Sequence, residues 1–383
     1  MEKVRLGIIG LGMGAFHAQY LLEGKVKRCE LTAVCDAVPD KLARYPKLKQ
    51  FSDSAALIRS REVDAVLIAT PHYAHTTIGI DALRQGLHVL CEKPLSVHKA
   101  DCQRLIAAHK GKRQKFSIML QMRTDPTYLK IRHLIRSGEL GDVRRVNWTI
   151  TNWFRTQAYY DSSGWRATWA GEGGGVLLNQ CPHQIDLVQW LFGMPARVRA
   201  FCALGKYHKI EVEDDVTAYF EFPNRATGVF IASTGEAPGT NRLEIAGERG
   251  RLVLESNQLR FTRNEVPMSQ FSRTSAESFA APPLWDCQIP VTSTGGAHAD
   301  LLQNFVDAIL DGVPLIAPAE EGMRQVELSN AMLYSSFQDK TIELPLDGAA
   351  YERHLKKLIA NSKWRKKVVR KKVTVDLAKS FNK

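Results

Sequence analysis

Leu6-Gly7-Ile8-Ile9-Gly10-Leu11-Gly12-Met13-Gly14-Ala15 is the stretch that decides the fold of this chain. A short apolar run ends in closely spaced glycines and then changes to helical spacing, which predicts strand, tight turn and helix. Gly10 permits the turn, and Gly12 lets a pyrophosphate approach the backbone at a helix start whose N–H groups are unpaired. The competing interpretation is a turn with a structural role alone.

A second apolar strand, Leu31-Thr32-Ala33-Val34-Cys35, ends in Asp36, which lies 24 residues after Gly12. A carboxylate about 20 residues beyond such a turn is typical of one that binds the ribose 2′-hydroxyl of a dinucleotide. This spacing favours dinucleotide binding over the structural turn. Because a carboxylate repels a 2′-phosphate, it also predicts NAD rather than NADP.

Strands and helices alternate through the first third of the chain. Further strands are predicted at 63–70, 87–91 and 116–122, and helices at 74–85 and 96–110, the last of these capped by Ser96. Continuously apolar strands separated by helices indicate a parallel sheet covered on both faces. Residues 1–122 are therefore predicted to form an NAD-binding Rossmann domain in an α/β protein.

Beyond residue 122 the spacing of apolar residues along the chain changes. Asp125-Pro126 opens a helix, and after it apolar and polar residues alternate in several segments between 146 and 254. This alternation predicts a mostly antiparallel, open-faced sheet in a second α/β domain at 123–347. Residues 262–296 show no period and are predicted to form a long covering loop. Helices are predicted at 297–310 and 320–337.

The composition is that of a globular protein and argues against a membrane-spanning or disulfide-rich one. The 383 residues are 44% apolar and contain no run that could span a membrane, so a cytoplasmic protein is expected. Seven scattered cysteines indicate neither disulfides nor a zinc site, and no metal is expected. Of the net charge of +12, ten positive residues lie between Arg353 and Lys372.

That basic stretch falls in a C-terminal tail at 348–383, and we interpret it as a solvated cationic helix. Nucleic-acid binding is the less favoured alternative. Removal of residues 361–383 is accordingly expected to leave the kinetics nearly intact.

Two segments carry candidate chemistry. Cys91-Glu92-Lys93-Pro94 follows a parallel strand at its carboxyl end, where ligands of such sheets bind, so Lys93 is a candidate site residue; a surface lysine is the alternative. In Gly173 to Trp190, helical spacing would place Asn179, His183 and Asp186 on one face, with the helix starting or bending near Pro182. The alternative there is a core histidine held by Asp186.

These motifs together resemble the Gfo/Idh/MocA family of NAD(P)-dependent oxidoreductases. Glu92-Lys93-Pro94 stands at the family's E-K-P motif, and Gly173 to Gly193 at its glycine, histidine and I-D-L segment. The resemblance implies a Rossmann domain, an open-faced α/β domain, assembly into a homo-oligomer, and oxidation or reduction of a sugar or polyol. It also implies site residues: cofactor contacts at Gly10, Gly12, Met13, Asp36, Thr70, His75, Glu92, Lys93 and Arg166, and substrate contacts at Lys93, Trp165, Arg166, Asn179 and His183.

Within that resemblance we assign His183 as general base, Lys93 as the group that stabilises the alkoxide, and Asn179 as the residue that orients the substrate. Asn179 departs from the aspartate that many polyol-oxidising members carry. The favoured function is oxidation of a secondary hydroxyl of a sugar, glycoside or inositol-type polyol. An NAD-dependent glycosidase and a non-catalytic sugar-sensing regulator remain as alternatives.

Overall fold

The computed structural model describes residues 2–291 and 293–366 and contains two sheets. The first is six-stranded and parallel throughout, in the order β3-β2-β1-β4-β5-β6. Its strands are β1 Val4–Ile9, β2 Cys29–Cys35, β3 Lys49–Phe51, β4 Ala65–Ile68, β5 His88–Cys91 and β6 Phe116–Ile118. The strand order reverses between β1 and β4, which is where doubly wound sheets bind their ligands.

Helices cover both faces of this sheet, as the continuously apolar strands predict. They are α1 Gly14–Leu22, α2 Pro39–Leu42, α3 Ser54–Arg59, α4 His72–Arg84 and α5 Lys99–His109. The strand interiors are almost completely buried, including Ile8, Leu67 and Leu90. The Rossmann prediction is therefore confirmed.

Two local predictions in this domain are wrong. α5 begins at Lys99 and is capped by His98, because the Ser96 hydroxyl is instead hydrogen-bonded to Thr76 at 2.7 Å. The strand predicted at 116–122 ends at Ile118 and continues as a 3₁₀ helix, Gln121–Thr124. This early end places Gln121 beyond the carboxyl edge of the sheet.

The second sheet has nine strands in the order β14-β13-β12-β11-β7-β10-β9-β8-β15. Its strands are β7 Val143–Ile150, β8 Arg197–Leu204, β9 Glu213–Glu221, β10 Thr227–Ser233, β11 Asn241–Gly247, β12 Gly250–Glu255, β13 Gln258–Asn264, β14 Leu284–Ile289 and β15 Ile342–Glu343. All neighbouring pairs are antiparallel except β7 with β10. The mostly antiparallel sheet is confirmed.

Helices of the second half are α6 Pro126–Arg136, α7 Gln157–Asp161, α8 Pro182–Phe192, α9 Met268–Thr274, α10 His298–Asp311, α11 Ala319–Gln338 and α12 Gly348–Asn361. Asp125 caps α6 by accepting the N–H of Thr127 at 2.8 Å. Long α11 spans both units, since Val326 lies in the first apolar core and Leu333 in the second.

The long loop predicted at 262–296 is wrong. That stretch contains the end of β13, helix α9 and edge strand β14, which pairs with β13 from Leu259–Ile289 to Asn264–Leu284. The sequence signal was weak because β14 is mostly exposed on both faces, so its residues do not alternate. As an edge strand of the sheet, this segment gives no support to a covering loop.

The boundary at residue 122 stays a prediction, but the first apolar core also takes in a helix from much later in the chain. Helix α10 follows the second sheet in the chain, yet Leu301, Leu302, Phe305 and Val306 are buried in the core of the Rossmann domain. The first unit is therefore built from two separate parts of the chain, because an apolar helix packs where a complementary surface is exposed, whatever its position in the sequence.

Candidate active site

The glycine turn after β1 is shaped by its neighbours. Gly10 has φ +94°, and a Cβ there would lie 2.6 Å from the Ala69 carbonyl oxygen, so only glycine fits. At Gly12 a Cβ would meet no protein atom within 4 Å. Met13 then stands as the N-cap of α1 without a side-chain cap bond. The turn thus presents open backbone at a helix start, an arrangement that suits a pyrophosphate.

Asp36 lies directly beside that turn. Its carboxylate accepts the Leu11 N–H at 2.7 Å, the Val38 N–H at 2.9 Å and the Lys41 ammonium at 2.9 Å. The backbone and Lys41 bonds lower its pKa although burial opposes them. The group is therefore an anion with about one acceptor position left for a hydroxyl.

The turns after β4 and β5 are joined by His75. Its ring nitrogens face the Pro94 carbonyl at 2.9 Å and the Thr70 carbonyl at 2.8 Å. A neutral imidazole donates from one nitrogen only, so one of these carbonyls accepts the ring N–H and holds the ring between the two turns, while the cofactor contact of His75 stays a prediction. The neighbouring Thr70 hydroxyl is buried and, within the part of the chain that is described, has no hydrogen-bond partner.

Glu92 is buried at the end of β5. One carboxylate oxygen lies 2.6 Å from His17 Nε2 on α1, and the other accepts the Lys93 N–H at 3.0 Å. Although burial opposes ionisation, His17 and other nearby groups lower the pKa of Glu92 to about 2. Glu92 is thus an anion that ties α1 to the turn carrying Lys93, so any cofactor contact it makes shares the carboxylate with His17.

Lys93 extends from this turn toward the second domain. Its ammonium donates to the backbone carbonyl of Asn179 at 2.9 Å. Burial lowers the pKa of Lys93, while Glu92 and Glu172 raise it. An ammonium carries three N–H donors, so two of them remain for a ligand.

His183 lies on α8, whose first residue is Pro182. Its Nε2 is 3.3 Å from the amide nitrogen of Gln121, and Nδ1 is buried with no hydrogen-bond partner among the residues described. Burial, reinforced by the charge of Lys93, lowers the pKa of His183 to about 3. The imidazole is therefore neutral, with one nitrogen open to a ligand.

The interpretation that Asp186 holds His183 is wrong. Asp186 accepts two bonds from the buried Arg123 guanidinium, at 2.8 and 2.7 Å. Arg123 also pairs with Glu321 on α11. Because helix α8 starts only at Pro182, Asn179 precedes it and does not share its face as the helical spacing predicted.

Asn179 occupies a turn formed by the glycine run. A Cβ on Gly175 would lie 1.9 Å from the carbonyl oxygen of Glu213, so the run is pressed against the start of β9. The Asn179 amide donates to Glu172, and its side-chain oxygen accepts from the Tyr159 hydroxyl at 3.4 Å. Asn179 thus fixes the position of Lys93 through its main chain, while its side chain is held by the protein.

Trp165 and Arg166 form one wall beside these residues. The Arg166 guanidinium lies 4.7 Å from the ring centres of Tyr159 and of Trp165, and it donates to the Tyr159 hydroxyl at 2.8 Å. Trp165 contacts the His72 ring edge to face at 5.7 Å. Arg166 is thus joined to Lys93 through Tyr159 and Asn179, which is three contacts, and Trp165 lies one contact further along this path.

Several residues of this neighbourhood were not predicted, among them Gln121, Tyr159, Glu172 and His17. Gln121 follows β6 at the carboxyl edge, so the rule that identified Lys93 could have found it. Tyr159 and Glu172 lie in irregular segments with no periodic signal. Among the described residues no group of three or more His, Cys, Asp or Glu could hold a metal ion, and no helix is long and apolar enough to cross a membrane.

Comparison with known proteins agrees with this architecture. Residues 4–120 match the family model described as an oxidoreductase family with an NAD-binding Rossmann fold, and residues 128–253 match the GFO/IDH/MocA C-terminal domain. The chain superposes with a TM-score of 0.77 on the WlbA dehydrogenase from Bordetella pertussis, solved with NADH and UDP-GlcNAcA, at 24% identity over 90% of this chain and 100% of that one. A levoglucosan dehydrogenase solved with NADH and L-sorbose gives a TM-score of 0.76 at 19% identity, over 90% of this chain and 100% of that one.

Curated relatives are also similar in sequence. Inositol 2-dehydrogenase of Salmonella typhimurium is 31% identical over 201 residues, which is 49% of this chain and 54% of that enzyme. The match thus spans about half the length of that relative. Inositol 2-dehydrogenase of Rhizobium meliloti is 24% identical over 349 residues, covering 89% of this chain and 99% of the enzyme. With both of its domain models matched in order, the chain belongs to the Gfo/Idh/MocA family of oxidoreductases, and its N-terminal domain is of that family's NAD-binding Rossmann type.

Proposed function

We propose that this protein is an NAD-dependent dehydrogenase that oxidises a secondary hydroxyl of a sugar, glycoside or inositol-type polyol. One observation carries the proposal. A lysine ammonium with two donors to spare and a buried, neutral histidine with one open nitrogen both lie beyond the carboxyl edge of a Rossmann sheet. Family membership and the inositol 2-dehydrogenases among the relatives support the same reaction class.

The residues fit NAD. The open backbone at Gly12 and the start of α1 suit the pyrophosphate, the remaining acceptor position of Asp36 suits a ribose hydroxyl, and the unpartnered Thr70 hydroxyl lies on the same edge. When bound, the nicotinamide supplies the carbon that accepts a hydride from the substrate. The side chains have the remaining tasks of holding the alcohol and removing its proton.

His183 takes the hydroxyl proton. Its Nδ1 is an acceptor when Nε2 carries the ring proton. In the structure the amide nitrogen of Gln121 faces Nε2, so this tautomer requires the amide to rotate and bring its buried, unpartnered Oε1 to Nε2 as the acceptor. A histidine whose pKa is near 3 is a weak base, so it works only on a hydroxyl that is already acidified.

Lys93 provides that acidification. Its ammonium donates to the reacting oxygen and stabilises the alkoxide that develops as the proton leaves, which is the preorganised electrostatic role of an oxyanion site. Asn179 keeps the ammonium in place through its backbone carbonyl. The Trp165 ring offers an apolar face to the C–H surface of a sugar.

The proposal is tested by following NADH absorbance with a panel of free sugars, aryl glycosides and inositols. We expect stoichiometric NADH formation with at least one substrate. Lys93→Met and His183→Gln should each lower kcat by about two orders of magnitude while the Kd for NAD changes little. Lys363→Met, a change on the exposed C-terminal segment, is the matched control. Aglycone release without net NADH formation would instead establish a glycosidase.

We further propose that copies of this chain assemble through the outer face of the second sheet. Phe201 on β8 is 62% exposed and Tyr219 on β9 is 41% exposed. Large apolar side chains exposed side by side on a sheet face are typical of a surface that a partner covers. Light scattering of the wild type and of Phe201→Glu tests this: the wild type should be a dimer or tetramer and the variant should dissociate. A monomeric wild type would contradict it.

A further inference from the structure

Residues 348–366, the described part of the predicted tail, pack against the second domain along one side. Tyr351 and Leu355 bury α12 against the second core, and the chain turns at its end. The Ser362 hydroxyl donates to the carboxylate of Glu211, whose other oxygen accepts the Trp169 N–H at 2.9 Å. This anchor directs residues 362–366 toward Arg166; residues 367–383 of the predicted tail lie outside the described part of the chain.

The packing of this segment places Lys366 against Arg166. Its ammonium donates to the backbone carbonyl of Arg166, and the side chain is half-buried. Burial lowers the pKa of Lys366, and the charge of Arg166 acts in the same direction, while the carboxylates of Glu172, Asp161 and Glu211 act to raise it. Within residues 2–291 and 293–366, no carboxylate forms an ion pair with its ammonium.

The Arg166 guanidinium resembles the Lys366 ammonium in its partners. It stacks between the Tyr159 and Trp165 rings and donates to the Tyr159 hydroxyl, but in the described residues it too forms no ion pair with a carboxylate. The buried Glu172 accepts the Ala167 N–H and the Asn179 amide and, among the described residues, forms no direct ion pair with the Arg166 guanidinium. Burial raises the pKa of Glu172, although the nearby charge of Arg166 and the two hydrogen bonds act to lower it.

A chain of three hydrogen bonds connects Arg166 to Lys93, and Lys366 joins it at the Arg166 backbone. Arg166 bonds Tyr159, Tyr159 bonds the Asn179 side chain, and the Asn179 carbonyl holds the Lys93 ammonium. Carboxylates of Glu172, Asp161 and Glu211 lie near enough to influence Lys366, but in the described residues none of them forms a direct ion pair with either cation, so the remaining N–H donors of both are left for a ligand. A guanidinium with free N–H groups beside an ammonium is suited to a carboxylate or a phosphate.

We propose that Arg166 and Lys366 form an anion subsite, so that the substrate is a sugar or polyol bearing a carboxylate or phosphate substituent and the C-terminal segment is part of the active site. That the bound anion belongs to a substrate rests on the proposed dehydrogenase function. The binding of an anion at this place does not. It reverses the expectation that residues 361–383 can be removed without kinetic effect, because Lys366 lies within them.

Calorimetry with NADH-saturated enzyme tests the subsite without requiring turnover. The probes are D-glucose, D-glucuronate and D-glucose 6-phosphate, which share a ring and differ at one substituent. We expect one or both anionic probes to bind at least about tenfold more tightly than glucose, and Lys366→Met to remove most of that difference. Lys363→Met removes the same charge from an exposed position on the same segment and should change nothing.

Glucuronate and glucose 6-phosphate distinguish a carboxylate from a phosphate subsite. Equal binding of all three probes to the wild type, or equal effects of the two lysine variants, would overturn the proposal. So would a Lys366→Met enzyme that loses affinity for NADH rather than for the anionic probes, since the anion would then be the pyrophosphate of the cofactor. Charge-selective binding with no NAD reduction would keep the subsite and reject the dehydrogenase.

Discussion

The neutral, buried state of His183 has a consequence for stability that does not depend on knowing the substrate. In an unfolded chain a histidine titrates near pH 6.5, whereas in the folded protein burial and Lys93 lower the pKa of His183 to about 3. Between these two values the unfolded chain binds more protons than the native one. The free energy of unfolding therefore falls as the pH falls below about 6.5.

The size of the effect follows from the same numbers. Each pH unit in that window costs up to about 1.4 kcal/mol for one such group, so lowering the pH from 7.5 to 5.0 costs at most about 2 kcal/mol. His183 is 6% exposed, so solvent screening reduces this little. Allowing for relaxation around a new charge, we expect His183→Gln to recover about 1 to 2 kcal/mol of the loss.

The assay is urea unfolding of the wild type and of His183→Gln at pH 7.5 and at pH 5.0. Glutamine can replace Nε2 at Gln121 but does not titrate. His133, an exposed residue of α6, supplies the control variant His133→Gln. If the difference between the two pH values is the same for all three proteins, the reasoning is refuted: His183 is then not held neutral by burial, and its assignment as base loses its support.

Three other substitutions probe the rest of the structure. Asp36→Ala should reduce the preference for NAD over NADP by at least about tenfold, measured as the ratio of kcat/KM values, since it removes the carboxylate that repels a 2′-phosphate; an unchanged ratio would exclude that role. Gly10→Ala should destabilise the first domain by more than about 1 kcal/mol and weaken NAD binding, because its Cβ would lie 2.6 Å from the Ala69 oxygen at φ +94°; calorimetric unfolding that matches the wild type would contradict this. Arg123→Met should cost about 3 to 5 kcal/mol in urea unfolding by leaving Asp186 buried without its partner, and the loss should be partly restored when Asp186→Leu is added.

Most elements of the first domain were predictable because they are encoded locally, although α2, β3 and α3 were not among those predicted. The apolar runs of β1, β4 and β5 are buried on both faces, so their composition alone marks them as strands of a covered parallel sheet. The alternation in β9 and β10 likewise follows from one buried face. Such signals fail where both faces are exposed, as in β14, which was missed.

For the candidate site, the sequence by itself was enough to predict the two residues that we propose carry the chemistry: Lys93 by its place after a buried strand, and His183 by its segment. Their partners were decided only by tertiary structure. No local sequence pattern distinguishes Gln121 from Asp186 as the neighbour of His183. Gln121 reaches His183 because β6 ends early, and Asp186 does not because it is hydrogen-bonded to Arg123. The same holds for Lys366 beside Arg166, since contacts between residues 200 positions apart are fixed by how α12 packs and not by any periodicity in the chain.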